Sequence, residues 1–168
     1  MKKALTSVVL FAFLASPAGF AAPLTPEEIY RDTYVSAMQD KDPSVVLNTL
    51  LTESQANHVT VKEALQAAVA KGWIDQDQLN TVLSIAKKYS YLAQDQDLAA
   101  KAKAGAISQK DLATLSQIMQ GDITGATYWC NYYGCYYNRY GVANGVGITL
   151  AVVLVVALVL TPVLVIYN

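Results

Sequence analysis

The sequence is poor in the residues on which most enzymes and metal sites depend. It has one histidine and two cysteines in 168 residues, with no glycine-rich phosphate loop and no serine–histidine–aspartate context. The single histidine, His58, excludes sites built on several histidines, and its polar neighbours predict a solvated loop. Twelve basic and 13 acidic residues give a net charge of −1, which provides no electrostatic reason to bind nucleic acid. We therefore expect no enzyme, no metal and no cofactor.

Charge is also missing near the C-terminus. Residues 146–167 contain no charged side chain, and 15 of these 22 residues are Val, Ile or Leu. A helix of this length spans roughly 33 Å, against about 30 Å for the hydrocarbon core of a bilayer. The run therefore predicts one C-terminal transmembrane helix over residues 146–167.

The N-terminus has the order of a secretory signal peptide. Two lysines precede the apolar residues 4–14, and Gly19 and Ala21 place small side chains where the signal peptidase requires them. We expect cleavage after Ala21, which makes residues 1–21 the signal peptide. Residues 22–121 then form an exported soluble domain with 9 basic and 12 acidic side chains.

Capping residues followed by apolar residues at helical spacing predict six helices in the soluble domain. The predicted helix starts are Thr25, Asp42, Thr60, Asp75, Asp95 and Ser108. The acidic pairs Asp75/Asp77 and Asp95/Asp97 lack the further oxygen ligands of a calcium loop, so we interpret them as parts of helix caps. The last helix is predicted to bury Leu112, Leu115, Ile118 and Met119.

An internal repeat supports this helix count. Shifting the chain by 33 residues gives eight identities in 21 positions, among them Gly72 with Gly105 and Ile74 with Ile107. The predicted fold class is therefore all-α: a small helical bundle built from two similar 33-residue αα-hairpins, followed by a Tyr/Cys-rich loop and one transmembrane helix. The alternative is that similar cap chemistry arose in two unrelated hairpins.

The segment between the bundle and the apolar run, residues 122–145, is rich in tyrosine. Aromatic rings with a polar tip settle at the headgroup level of a membrane, so this segment is predicted to form a juxtamembrane collar. A protein-binding patch is the alternative, because tyrosine gives much contact area for little lost entropy. The predicted interface residues are Tyr128, Trp129, Tyr132, Tyr133, Tyr136, Tyr137 and Tyr140.

Two pairs of small residues in the collar suggest covalent or close contacts. Cys130 and Cys135 are predicted to form a disulfide, because an exported compartment permits one. Pairing between two chains, and a metal-binding or redox role, are the alternatives.

Gly141 and Gly145 have the spacing that lets membrane helices approach closely, which allows a homodimer contact. A flexible hinge is the simpler interpretation.

Trp73 is the one residue of the soluble domain that we single out as a possible partner-binding residue. Its counterpart in the repeat is the small Ala106, so a large aromatic side chain at this corner is specific to the first hairpin. Packing into the core against Tyr89 or Tyr91 is the alternative.

These features predict a membrane-anchored envelope protein of the bacterial inner membrane. It would cross the membrane once, keep most of its chain on the periplasmic or extracellular side, and bind another envelope protein without catalysing a reaction. The alternative is a secreted membrane-inserting protein, pore-like or toxin-like, that uses the C-terminal apolar segment on a target bilayer. A C-terminal lipid-anchor signal fits less well, because the usual polar spacer before the apolar tail is missing.

Overall fold

The computed structural model describes residues 22–39, 41–125, 129–131, 134–136 and 145–161, so the predicted signal peptide lies outside the described residues. The helices are α1 Pro26–Met38, α2 Pro43–Ala56, α3 Val61–Ala70, α4 Gln76–Lys88, α5 Gln96–Ala104, α6 Gln109–Gly125 and α7 Gly145–Leu160, with a 3-10 helix at Ser90–Gln94. Two three-residue strands, β1 Trp129–Asn131 and β2 Gly134–Tyr136, form an antiparallel hairpin between α6 and α7. The predicted helical bundle is therefore confirmed.

The helices begin where the capping residues predict. In each of α1 to α6 a capping side chain accepts from at least one of the first backbone amides, which have no partner within the helix, so these starts could be predicted from the sequence. Four reciprocal caps join Thr25 to Glu28, Thr60 to Glu63, Asp75 to Gln78 and Ser108 to Asp111, while Asp42 and Asp95 accept from the amides that follow them.

The two repeated units share their corner but differ in packing. Gly72 and Gly105 both have positive φ, at 70° and 61°, which is the left-handed conformation that ends a helix at little cost only for glycine. Ile74 and Ile107 follow them, and each is only 2% exposed. However, α3 packs mainly on α1, with smaller contacts to α4 and α7, whereas α5 packs on α2, the 3-10 helix and α7. The first helices of the two units therefore have different neighbours.

The apolar helix α7 lies at the centre of the bundle. It contacts each of the helices α1 to α6 and the 3-10 helix. The structure therefore does not support a transmembrane helix separate from the soluble domain, because protein surrounds the side chains of residues 150–160, which belong to the predicted span. Within the described ranges, none of the helices combines the length and the apolar character needed to cross a bilayer.

One predicted core residue of the second unit is exposed. Ile118 has 44% of its surface accessible, whereas its repeat counterpart Ile85 has 7%. The buried residues of α6 form a narrow stripe of Leu112, Leu115, Met119 and Ile123, and Ile118 lies beside that stripe. The prediction that Ile118 is buried was wrong because the face of α6 that meets the rest of the bundle is this stripe, and Ile118 lies outside it.

Candidate functional site

The most distinctive feature of the structure is the enclosure of α7. Residues 150–160 are eleven consecutive Leu, Val and Ala residues, and none is more than 8% exposed. Such a helix has no polar face that could meet water. The surrounding helices form what we call the sheath, residues 26–125, and they bury apolar side chains on the side that faces α7.

The sheath and α7 share one continuous hydrophobic cluster. Its largest fully buried members outside α7 come from five different parts of the sheath: Ile29, Leu47, Leu50, Leu51, Leu65, Ile107 and Met119. Each of these residues sits on one face of an amphipathic helix or at a helix corner, with polar residues on the other side. Each helix of the sheath is therefore amphipathic, whereas α7 is apolar on all sides.

Enclosure of α7 is worth a large part of the stability of the protein. Nine of the eleven enclosed residues are Val or Leu. At about 1.5–3 kcal/mol for each such side chain removed from water, their burial contributes on the order of 13–27 kcal/mol as an upper estimate. Net stabilities of domains are only about 5–15 kcal/mol, so exposing α7 to water would remove a favourable term as large as the whole net stability of a typical domain.

Polar side chains inside the sheath are few and uncharged. Thr33 donates its hydroxyl proton to the carbonyl of Ile29 at 2.8 Å, and Ser44 donates to Asp42 Oδ1 at 2.7 Å. Both hydroxyls thus bond within their own helix or its cap. Among the described residues no Lys, Arg, Asp or Glu side chain is classed as buried. Apolar side chains therefore dominate the surroundings of α7.

Trp73 packs on the sheath and stacks on Tyr30. The two ring centroids lie 6.0 Å apart with an interplanar angle of 23°. Trp73 is only partly buried and belongs to the rim of the hydrophobic cluster. Core packing was the alternative to a partner-binding role, and Tyr30 of α1 is an aromatic ring that Trp73 contacts in this way. Burial raises the pKa of the Tyr30 hydroxyl.

The C-terminal ends of α4 and α6 are joined by a polar cluster that sequence analysis missed. Asp122 Oδ2 accepts from Lys88 Nζ at 2.6 Å and from the Tyr89 hydroxyl at 2.6 Å. Tyr89 and Asp122 are 33 residues apart, so they occupy equivalent positions of the repeat. The repeat period could have suggested this pairing, because equivalent ends of two hairpins meet when the hairpins pack side by side.

We expect this cluster to make stability depend on acid pH. The hydrogen bonds from Lys88 and then from Tyr89 lower the pKa of Asp122. A lowered folded-state pKa means that the stabilisation is present above the unfolded pKa of about 3.9 and is lost as the pH falls through the folded value. Asp122→Asn should therefore lower the urea midpoint slightly at pH 7 and have no effect below the folded pKa. Equal midpoint shifts at both pH values would contradict this assignment.

The hairpin places the two cysteines opposite each other. Its register pairs Trp129 with Tyr136 and Cys130 with Cys135. Paired residues of antiparallel strands have Cα atoms about 4.5–5.5 Å apart, which lies within the range of about 4.4–6.8 Å that a disulfide needs. The backbone is thus compatible with the predicted disulfide, which stays a prediction. The hairpin replaces the predicted loop at this point.

The remaining collar residues cannot be placed in the same way. Tyr128, Tyr132, Tyr133, Tyr137, Tyr140 and Gly141 lie outside the described residues, and Gly145 is the first residue of α7. The predicted interface role of the aromatic residues and the predicted glycine contact therefore stay predictions.

Features associated with catalysis or metal binding are not assembled in the described part of the chain. His58 is exposed in the turn between α2 and α3, with a φ of 55°. No group of three or more His, Cys, Asp or Glu that could hold a metal occurs among the described residues. Asp75 and Asp95 cap helices, as predicted. The chain matches no protein-family model, no curated protein and no solved structure.

Proposed function

We propose that this chain is an exported, non-catalytic protein that shelters a membrane-active helix, α7, inside its bundle and transfers that helix to a bilayer. The observation that carries the proposal is the enclosure of a helix that is apolar on every side. It favours the second of the two functions predicted from the sequence, a secreted membrane-inserting protein.

The composition of α7 exceeds what a small helical core requires. Helices in small bundles need one apolar stripe, and helices that are apolar all round belong to the cores of large proteins or to membranes. This chain has 168 residues, and its other helices carry a polar face. A helix that is first enclosed by protein and later enters a membrane meets apolar surroundings in both places. This explains why no polar residue interrupts residues 150–160.

Transfer from the sheath to lipid is energetically balanced for α7 itself. Lipid tails are about as apolar as leucine side chains, so the large gain from leaving water is the same in both environments. The cost falls on the sheath, whose apolar faces lose their partner. Amphipathic helices can cover such faces by lying in the membrane interface, which lowers this cost.

The lipid bilayer is the partner in this function, as in the function first predicted from the sequence, but α7 reaches it from inside the bundle. A permanent single-pass anchor in the bacterial inner membrane, with another envelope protein as partner, is the competing function. The two differ in where the newly made chain is found: a sheltered helix leaves the exported chain free in solution, whereas a permanent anchor keeps it in the membrane of the producing cell.

Purified protein added to dye-filled vesicles tests the proposal. We expect vesicles of phosphatidylcholine and phosphatidylglycerol to release dye, and we expect a fragment containing residues 145–160 to resist both proteinase K and carbonate extraction. Sheath fragments should be digested, because they stay outside the hydrocarbon core. The control is the same digestion of urea-unfolded protein without vesicles, which should leave no fragment.

Two results would overturn the proposal. One is folded protein that neither releases dye nor leaves a protected α7 fragment at any protein-to-lipid ratio. The other is recovery of the chain from producing cells only as a carbonate-resistant membrane protein, which would favour the permanent anchor.

A further inference from the structure

One side of the sheath is much thinner than the others. Residues 90–104, which we call the flap, consist of the 3-10 helix and α5, and both elements contact α7. Ala102 is the only buried residue of α5, and the 3-10 helix has none. By comparison, α2 buries six residues and α4 buries five. Segments with few buried apolar contacts open at lower free energy than the core, so the flap is the weakest cover over α7.

The flap is fastened to α2 at one corner. The side-chain amide of Asn48 donates to the carbonyl of Ile107 at 2.8 Å and accepts from the amide of Ile107 at 2.9 Å. This pair of bonds joins residues 59 positions apart. The Ile107 side chain is buried directly beside it. The corner therefore combines a two-bond polar contact with an apolar anchor.

The backbone approaches α2 closely at the same corner. A Cβ atom on Gly105 would lie 2.6 Å from Thr52 Oγ1 and 4.0 Å from Thr52 Cβ. The Thr52 hydroxyl is held in place, because it donates to the carbonyl of Asn48 at 2.7 Å. A side chain at Gly105 must therefore either turn the Thr52 hydroxyl out of its bond to Asn48 or move the corner away from α2. At the equivalent corner, a Cβ on Gly72 would meet nothing within 4 Å.

Surface charges add little to this fastening. Lys101 pairs with Asp97 at 2.7 Å and with Asp111 at 3.3 Å. The Asp97 side chain is 74% exposed, and exposed ion pairs typically contribute about 0–1 kcal/mol. The Lys101–Asp111 pair, in which the Asp111 side chain is 20% exposed, joins α5 to α6 and not to α2. Leu92 and Leu98 of the flap pack against the core, and the corner that directly follows the flap, made by Asn48, Thr52, Gly105 and Ile107, is its polar fastening to α2.

We propose that the flap is the gate of the sheath: it detaches from α2 at the Asn48–Ile107 corner and uncovers the α5 side of α7, which is the side that meets lipid first. This inference rests on the proposed function and specifies how that function is controlled. The rest of the sheath stays packed while the flap is open, because α1 to α4 and α6 contact α7 independently of it.

A disulfide across the corner tests the gate. The Cβ separation of 4.0 Å between positions 105 and 52 lies within the range of about 3.5–4.5 Å found in disulfides. The variant Thr52→Cys/Gly105→Cys should release vesicle dye at least about tenfold more slowly when oxidised than when reduced, because the bond keeps the flap shut. Reductant should restore release. Wild-type protein with and without reductant controls for the native cysteines, and each single variant controls for the substitutions.

A side chain added at the same corner tests whether opening the flap speeds dye release. Gly105→Ala should speed dye release, because its Cβ either breaks the bond from the Thr52 hydroxyl to Asn48 or moves the corner off Thr52, and both loosen the fastening. Gly72→Ala is the matched control, since it carries the same left-handed backbone strain with no collision. Adding Thr52→Ala to Gly105→Ala should remove most of the acceleration. Equal acceleration by Gly105→Ala and Gly72→Ala would show that general loss of stability, not the flap, controls release.

Hydrogen exchange tests the gate without any membrane. In wild-type protein we expect amides of residues 96–104 to exchange at least about tenfold faster than those of α2, α4 and α7, with further acceleration in Gly105→Ala alone. Protection of α5 equal to that of α7 would overturn the gate. If the oxidised double-cysteine variant released dye as fast as the reduced one, the gate would be overturned while the proposed function stayed intact. If wild-type protein released no dye although its flap exchanged fast, the proposed function alone would be overturned.

Discussion

A chain that ends at residue 144 is expected to lose cooperative unfolding. It lacks α7, and with it the eleven buried residues around which the sheath packs. Without them the inner faces of α1 to α6 lose the one helix that all of them contact, and a compact state with helical content but loose side chains is the expected outcome. Far-ultraviolet circular dichroism, near-ultraviolet circular dichroism and urea titration measure the three relevant properties.

The matched control for this truncation is a chain that ends at Thr161. It keeps all of α7, so it should retain a single sigmoidal urea transition. If the chain ending at residue 144 unfolded with the same midpoint as the full chain, residues 22–125 would form an independent domain. In that case α7 would be a separate tail, as the sequence analysis predicted.

Local chemistry explains why so much of the sheath could be predicted. A cap such as Thr25 with Glu28 acts within four residues, so it is visible in the sequence before any tertiary contact is known. The positive φ at Gly72 and Gly105 has the same local origin. The six helix starts followed from signals of this kind.

The position of α7 could not be predicted for a physical reason. Burial in a protein and burial in lipid both favour residues that avoid water, so a helix without a polar face gives the same sequence pattern in both cases. The decision depends on whether enough apolar surface elsewhere in the chain can surround it. Here the inner faces of α2, α4 and their neighbours supply that apolar surface. The total area that they present to α7 depends on how the helices pack, so it could not be read from any one segment of the sequence.

Long-range polar contacts were hidden in the sequence for a different reason. Asn48 lies on an ordinary helix, and nothing near it indicates that its amide will meet the backbone of Ile107. The exposure of Ile118, against the burial of Ile85, likewise depends on which face each helix presents to the rest of the bundle. The repeat predicted equivalent local structure at these positions, but packing made them different.

A charge placed in the middle of α7 should abolish folding of the whole bundle. Val156 is fully buried, and Val156→Asp would put a carboxylate among apolar side chains with no described partner. An unpaired buried charge costs several kcal/mol, which approaches the total of about 5–15 kcal/mol that stabilises a domain. We expect the variant to lack a cooperative urea transition or to fail to accumulate as folded protein.

Val45→Asp is the matched control, because Val45 is 51% exposed in the first turn of α2. A surface change of this kind usually alters stability by no more than about 0.5 kcal/mol, and an acidic residue near a helix N-terminus is favourable. The two variants also separate the sheltered helix from a lipid anchor. If α7 were only a membrane anchor, Val156→Asp would weaken membrane attachment while the sheath kept the wild-type unfolding midpoint. If the sheath folds around α7, the substitution abolishes the cooperative unfolding transition.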